Sequence, residues 1–201
     1  MKKTICLLLQ IVAFGVVAQE KVQKSFIKAE LGLATSSTKK VIGTGYSFGQ
    51  IGPNIRFRGM YGYNLSNQFS AAIGAEFSLI RKSLDYNSSK DAKMVPVFVQ
   101  LQYNFKQDDP KTFFLYSGYG LSPKMGSKIF GGQIFDAGLG WQYQPKLFNG
   151  NPVSFMAGYH MSSIKDVRVR HYGSFGGNEF DYFADEKIKL SSIGISIGLS
   201  F

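Results

Sequence analysis

Residues 191–201 read Ser-Ser-Ile-Gly-Ile-Ser-Ile-Gly-Leu-Ser-Phe and alternate bulky apolar residues with very small polar ones. Ile193, Ile195, Ile197, Leu199 and Phe201 fall on one side, and Ser192, Gly194, Ser196, Gly198 and Ser200 on the other. A strict period of two describes a strand with two unlike faces. Such a strand excludes most architectures at once. Its backbone needs partners on both edges, and a register slip of one residue would turn every isoleucine to the wrong face.

Seven further segments share this phase. Ile27, Ala29, Leu31 and Leu33 alternate with Lys28, Glu30 and Gly32; Ile55, Phe57, Tyr61 and Tyr63 alternate with Arg56, Arg58, Met60 and Gly62. Phe69 to Leu79, Val95 to Phe105, Phe113 to Leu121, Phe135 to Tyr143 and Val153 to Met161 continue the pattern. Each is close to the roughly 9–11 residues that cross a bilayer at a barrel's tilt, and the count is even. The expected fold is all-β: an eight-stranded antiparallel up-and-down transmembrane β-barrel.

The connections alternate between two kinds. Short ones, Asn64–Gln68, Lys106–Thr112 with Asp109-Pro110, and Pro145–Asn151 with Asn149-Gly150, are rich in turn formers. Longer ones are expected at Thr35–Gly52, Arg81–Lys93, Ser122–Gly132 and Ile164–Glu186. Short periplasmic turns and longer extracellular loops are the asymmetry of a barrel in an outer membrane. Tyr61, Tyr63, Phe69, Tyr103, Phe105, Phe113, Trp141, Tyr143 and Phe201 all fall at the turn-side strand ends, on the apolar face. Rings with a polar edge collect where hydrocarbon meets headgroups, whereas a soluble barrel would turn this face inward. Pro96 lacks a backbone donor and predicts a rim position or a bulge.

Met1-Lys2-Lys3, the apolar run Ile5 to Val17 and the small residues of Val16-Val17-Ala18 have the layout of a secretory signal. Cleavage is expected after Ala18, giving a signal peptide over 1–18 and a barrel domain over 19–201. Cys6, the one cysteine, would leave with that segment, which excludes thiol catalysis and thiolate metal sites in the mature chain. The 23 Gly, 18 Phe and 11 Tyr set against 18% charged residues suit strands that are apolar on one side only.

The eight spans, the Val95 to Phe105 strand, the Gly138 to Tyr143 stretch Gly-Leu-Gly-Trp-Gln-Tyr and the terminal Phe201 together resemble the small eight-stranded outer-membrane β-barrel domain family, the OmpA/OmpX-like, porin-family-type group. The resemblance covers the mature chain. It implies localisation in the outer membrane, insertion by the barrel assembly machinery, and contact with outer-membrane lipids and lipopolysaccharide. A terminal Phe commonly serves that machinery as a mark.

The phase turns Lys28, Arg56 and Arg58 into the lumen against Glu30, Glu76 and Asp136. Three cations and three anions in a space this narrow are expected to pair, because an unpaired buried charge is costly. Gln100, Gln102 and Asn104 are expected to satisfy what the ion pairs leave over. The inward glycines leave space for water, which keeps a narrow porin-like channel open as the alternative. Net charge is +10, or +8 once Lys2 and Lys3 are subtracted. Lys39, Lys40, Arg81, Lys82, Lys90, Lys93, Lys124, Lys128, Lys165, Arg168 and Arg170 lie in or beside the expected loops. Lys187 and Lys189 fall in the lipid-facing phase, where long cations can reach up to glycolipid phosphates. Nucleic acid is not an expected partner, since no groove-entering module accompanies the charge.

His160 and Ser162, two apart on a strand, share a face and can form a base–nucleophile pair. The spacing resembles the His-x-Ser of the outer-membrane lipid A deacylase family. Here Ser163 stands where that family has Asn, no acidic orienter is evident on the last strand, and the pair faces inward rather than to lipid. The sequence therefore reads as a non-enzymatic integral outer-membrane barrel, monomeric, without cofactor or metal, structural or recognitional through its aromatic and basic 164–186 segment. A lipid A-modifying hydrolase is the second alternative.

Overall fold

A computed structural model of the protein describes residues 25–41, 47–48, 51–80, 92–105, 111–126, 129–145, 151–175 and 178–201. The expected leader with Cys6, the expected turn formers Asp109-Pro110 and Asn149-Gly150, and Arg81, Lys82, Lys90 and Lys128 lie outside them. The strands are β1 (Ser25–Val41), β2 (Ser47–Phe48), β3 (Ile51–Asn64), β4 (Phe69–Ile80), β5 (Ala92–Met94), β6 (Val97–Asn104), β7 (Lys111–Ser122), β8 (Gly132–Tyr143), β9 (Val153–Phe175) and β10 (Asn178–Ser200). Each long strand pairs antiparallel with its chain neighbour, and β10 closes on β1. With β5 and β6 forming a single stave, this is a closed eight-stranded antiparallel barrel.

The seam between β1 and β10 extends to Phe201, which exchanges backbone hydrogen bonds with Ile27 at 2.8 and 3.1 Å. Followed round the sheet, the residue row through Lys28, Met60, Gly74, Phe98, Gly120, Ile134, Ser162 and Leu190 returns to β1 at Lys39. That stagger tilts the staves of a closed barrel. At the β3–β4 connection, Ser66 accepts backbone N–H bonds from Gln68 at 3.3 Å and Phe69 at 3.0 Å, closing the turn with its own side chain.

Polarity is inverted relative to a soluble barrel over most of the height. In β7 every second residue from Lys111 onward is exposed and the ones between are buried. Ile193 and Ile195 are each 66% exposed, while Glu76, at 1%, is enclosed. The turn-side aromatics make their belt: Phe69 and Tyr103 lie 4.8 Å apart, and Trp141 stacks against Tyr143 and Phe155 at 5.9 Å.

Towards the loop side the pattern turns round. Lys93, Lys165, Lys187 and Lys189 are now exposed. Met94, Ile164, Ile188 and Leu190 beside them are buried inside with Ile80, Ile134, Met60 and Phe98. The barrel therefore ends on this side as a water-facing one does, with an apolar core and a charged exterior.

Three expectations change. The segments Thr35–Gly52 and Ile164–Glu186 are largely strand: β1 continues to Val41, and β9 and β10 run on as a ribbon from Val167↔Glu186 to Phe175↔Asn178. Arg-Val-Arg-His-Tyr and Phe-Asp-Tyr-Phe are β-branched and aromatic enough for strands. A bulge between Glu186 and Ile188 breaks the phase that the sequence pattern relies on. Pro96 is neither a rim residue nor a bulge. It interrupts the ladder between β5 and β6 without shifting register, since Ala75↔Val97 and Ser78↔Met94 belong to one alignment, and its carbonyl still accepts from Glu76 N at 2.9 Å.

Candidate functional site in the lumen

The six charges expected inside meet in one network. Arg58 is its centre. Its Nε donates to Glu76 Oε2 at 2.5 Å, Nη2 donates to Asp136 Oδ2, and Nη1 lies 3.9 Å from Glu30 Oε2. Lys28 pairs with Glu30 at 2.7 Å, and Arg56 Nη1 donates to Asp136 Oδ1 at 2.7 Å. Register explains the contacts. Arg58 stands opposite Glu30 on β1 and Glu76 on β4, while Asp136 reaches across the lumen from β8. All six side chains are buried, so each charge depends on its partners rather than on water.

Apolar side chains flank the network on both sides. Phe114, Tyr116 and Met156 lie towards the turns, with Lys28 Nζ 5.5 Å from the Phe114 ring centre. The isoleucine-rich cluster lies towards the loops, and the Arg58 guanidinium sits 4.9 Å from the Phe98 ring centre. This apolar cap was not expected from the sequence. At two inward glycines the space is taken by rings rather than left for water: a Cβ on Gly140 would strike the Phe114 ring, and one on Gly62 the ring of Phe26. Gly140 and Gly62 are recesses into which aromatic rings fit. The space among Glu30, Gly32, Arg56, Arg58 and Ser196 has no room for a water molecule. Gln102 Nε2 donates to Asn104 Oδ1 at 2.8 Å rather than serving the ion pairs, and Gln100 Oε1 has no hydrogen-bond partner.

His160 and Ser162 do face each other, Nε2 to Oγ at 2.8 Å. The acidic orienter is there too, on β8 rather than β10: Asp136 Oδ1 lies 2.6 Å from His160 Nδ1. Asp136 and His160 are direct partners across the β8–β9 ladder, a relation visible only once register is known. With Nδ1–H donated to the carboxylate, Nε2 accepts from the serine hydroxyl, the order of an acid–base–nucleophile relay. Its surroundings are crowded. Asp136 already receives two guanidinium groups, and Arg56 Nη1 stands 2.9 Å from Nδ1. Ser162 is 1% exposed between its ladder partners Ile134 and Leu190, two members of the apolar cap.

No family model and no curated protein matches the chain. Among solved structures, it is similar to outer membrane protein OprG from Pseudomonas aeruginosa at 13% identity and a TM-score of 0.45, over 92% of this chain and 99% of that one. Neisserial surface protein A is 17% identical with a TM-score of 0.44, over 88% and 98%. The attachment invasion locus protein Ail of Yersinia pestis is 16% identical with a TM-score of 0.41, over 89% and 100%.

Proposed function

We propose that the protein is an integral outer-membrane barrel with a non-conducting lumen, exported by a leader cleaved after Ala18, whose role is surface recognition through the β9–β10 ribbon. The observation that carries this reading is the inverted polarity: large apolar side chains outside, paired charges inside. On β10 the outward apolar run from Ile193 to Phe201 spans eight residue steps, about 27 Å along the strand. Tilted as in a closed barrel, that is about 20 Å of height, comparable to the roughly 25 Å apolar band of such proteins. Lys165, Lys187 and Lys189 are exposed at its loop-side edge, which supports contact with lipopolysaccharide phosphates.

The lumen supports a closed barrel rather than a pore. An ion entering from the loop side meets the apolar cap, and then charges already neutralised by one another. The same enclosure speaks against a lipid A hydrolase, because acyl substrates cannot reach Ser162. Purified protein should migrate differently on gels before and after boiling in detergent and should leave a planar bilayer electrically silent. Reproducible unitary conductance would overturn the closed lumen. Identical mobility before and after boiling would overturn the membrane barrel itself.

The β1–β10 ladder that closes the barrel runs from Ile188 to Ser200 on β10, and the ribbon beyond it pairs β9 with β10. Deleting 167–186, so that Asp166 joins Lys187, is expected to keep the heat-dependent gel shift and to abolish binding at the cell surface. Loss of the gel shift would assign the ribbon to folding instead.

A further inference from the structure

The ribbon that β9 and β10 form beyond the barrel divides its charge by strand. Residues 167–175 on β9 carry Arg168, Arg170 and His171 and no carboxylate. Residues 178–186 on β10 carry Glu179, Asp181, Asp185 and Glu186 and no cation. The two segments pair antiparallel from Val167↔Glu186 to Phe175↔Asn178, with Arg168 opposite Asp185. The neighbouring ladders stop lower down: β8 leaves β9 at Gly132↔Ile164, and β1 leaves β10 at Val41↔Ile188. Among the described residues no strand runs beside either outer edge of the ribbon. An outer strand presents a row of backbone donors and acceptors to any chain that lies along it. Two common guards against such pairing, proline and lysine, are absent from 167–175 and 178–186.

We propose that a second copy of the chain supplies that strand, the 178–186 segment of one barrel pairing antiparallel with the outer edge of 167–175 on the next. This partner belongs to the ribbon whose recognition role is proposed above, and self-pairing rests on that reading. Two constraints select the arrangement. Copies inserted in one membrane all point the same way, so β9 meets a neighbour's β10 antiparallel but a neighbour's β9 only parallel. The ribbon's own ladder shows that these two sequences pair in the antiparallel sense. Charge acts in the same direction. A two-fold axis along the membrane normal would set Arg168 and Arg170 beside their own copies, or the four carboxylates of 178–186 beside theirs. Like charges across a ladder destabilise it. Setting β10 beside β9 instead repeats between copies the acid–base match that the ribbon makes within one. Each added barrel leaves one basic and one acidic edge open, so the contact is head-to-tail and grows into rings or rows.

The test uses the full chain expressed in a double-membraned bacterium, with Cys6→Ser so that no native thiol interferes. Val169 and Ala184 are ladder partners in the ribbon, so Val169→Cys marks its β9 strand and Ala184→Cys its β10 strand. A protein carrying one cysteine cannot close a link within itself. Isolated outer membranes are treated with a short thiol cross-linker. Co-expressed Val169→Cys and Ala184→Cys proteins should give a band of twice the mass, and each protein alone should give none. Changing both Arg168 and Arg170 to glutamine in the Val169→Cys protein should lower the mixed product about fivefold, as the loss of two cross-strand charge pairs predicts. Monomer in every sample, equal linking by either protein alone, or a product indifferent to the glutamine changes overturns the proposal. Unheated gel mobility of the same samples keeps the readings apart. A barrel that shows the heat-dependent shift without linking removes only the self-pairing and leaves the ribbon to another partner. A chain without the shift removes the membrane barrel on which both depend.

Discussion

Arg58→Ala is expected to lower the unfolding free energy by about 3–5 kcal/mol, the range found when one partner of a buried ion pair is removed. The size follows from the geometry. One guanidinium neutralises Glu76, Asp136 and Glu30 together, and the enclosed lumen gives those carboxylates no bulk water in its place. Urea unfolding in phospholipid vesicles, followed through the fluorescence of Trp141, measures the change. Arg58→Lys should fall between wild type and alanine, because an ammonium cannot reproduce the planar fork. Adding Asp136→Asn to Arg58→Ala should cost less than the two changes summed, since each removes the other's unpaired charge. A cost for Arg58→Ala below about 1 kcal/mol is the behaviour of a surface pair and would mean that the lumen is wet.

The second large effect concerns shape rather than charge. Gly140→Leu should destabilise the barrel by about 1–3 kcal/mol or more, because the new side chain would occupy the recess filled by the Phe114 ring. Phe114→Ala alone should cost about 3–5 kcal/mol through the cavity it leaves. The double variant should be more stable than the sum of the two predicts, as leucine grows into the vacated space. Strict additivity of the two costs would show that Gly140 and Phe114 are not matched. The same vesicle unfolding assay reads all three proteins.

Most of the barrel is legible in residue order because the membrane imposes one rule on every stave. The Ile193 to Phe201 stripe and the parallel stripes of the other seven segments give strand number, phase and the aromatic rim directly. Once the phase is set, Lys28, Glu30, Arg56, Arg58, Glu76 and Asp136 must lie inside. Their pairing follows from the cost of leaving any one alone. The apolar cap is harder to see. In Lys187-Ile188-Lys189-Leu190 the alternation persists but its sense is reversed, charged outside and apolar inside. Period two alone does not say which face is which. The β9–β10 ribbon was obscured similarly, since the bulge between Glu186 and Ile188 interrupts the phase.

The relay shows the limit from another side. His160 and Ser162 are neighbours by strand spacing, so sequence alone pairs them. Asp136 is 24 residues away and becomes a neighbour only through the β8–β9 register. The sequence by itself determined the architecture, the two faces of each stave and the charge inventory of the lumen, because these follow from alternation and from the energy of burial. Tertiary structure alone decided that Gly140 and Gly62 are recesses for rings rather than water space, that apolar side chains lie on the loop side of the charges, and that Ser162 is buried. Each of those depends on which residue of one strand stands beside which residue of the next, and that alignment is set by closure of the whole barrel.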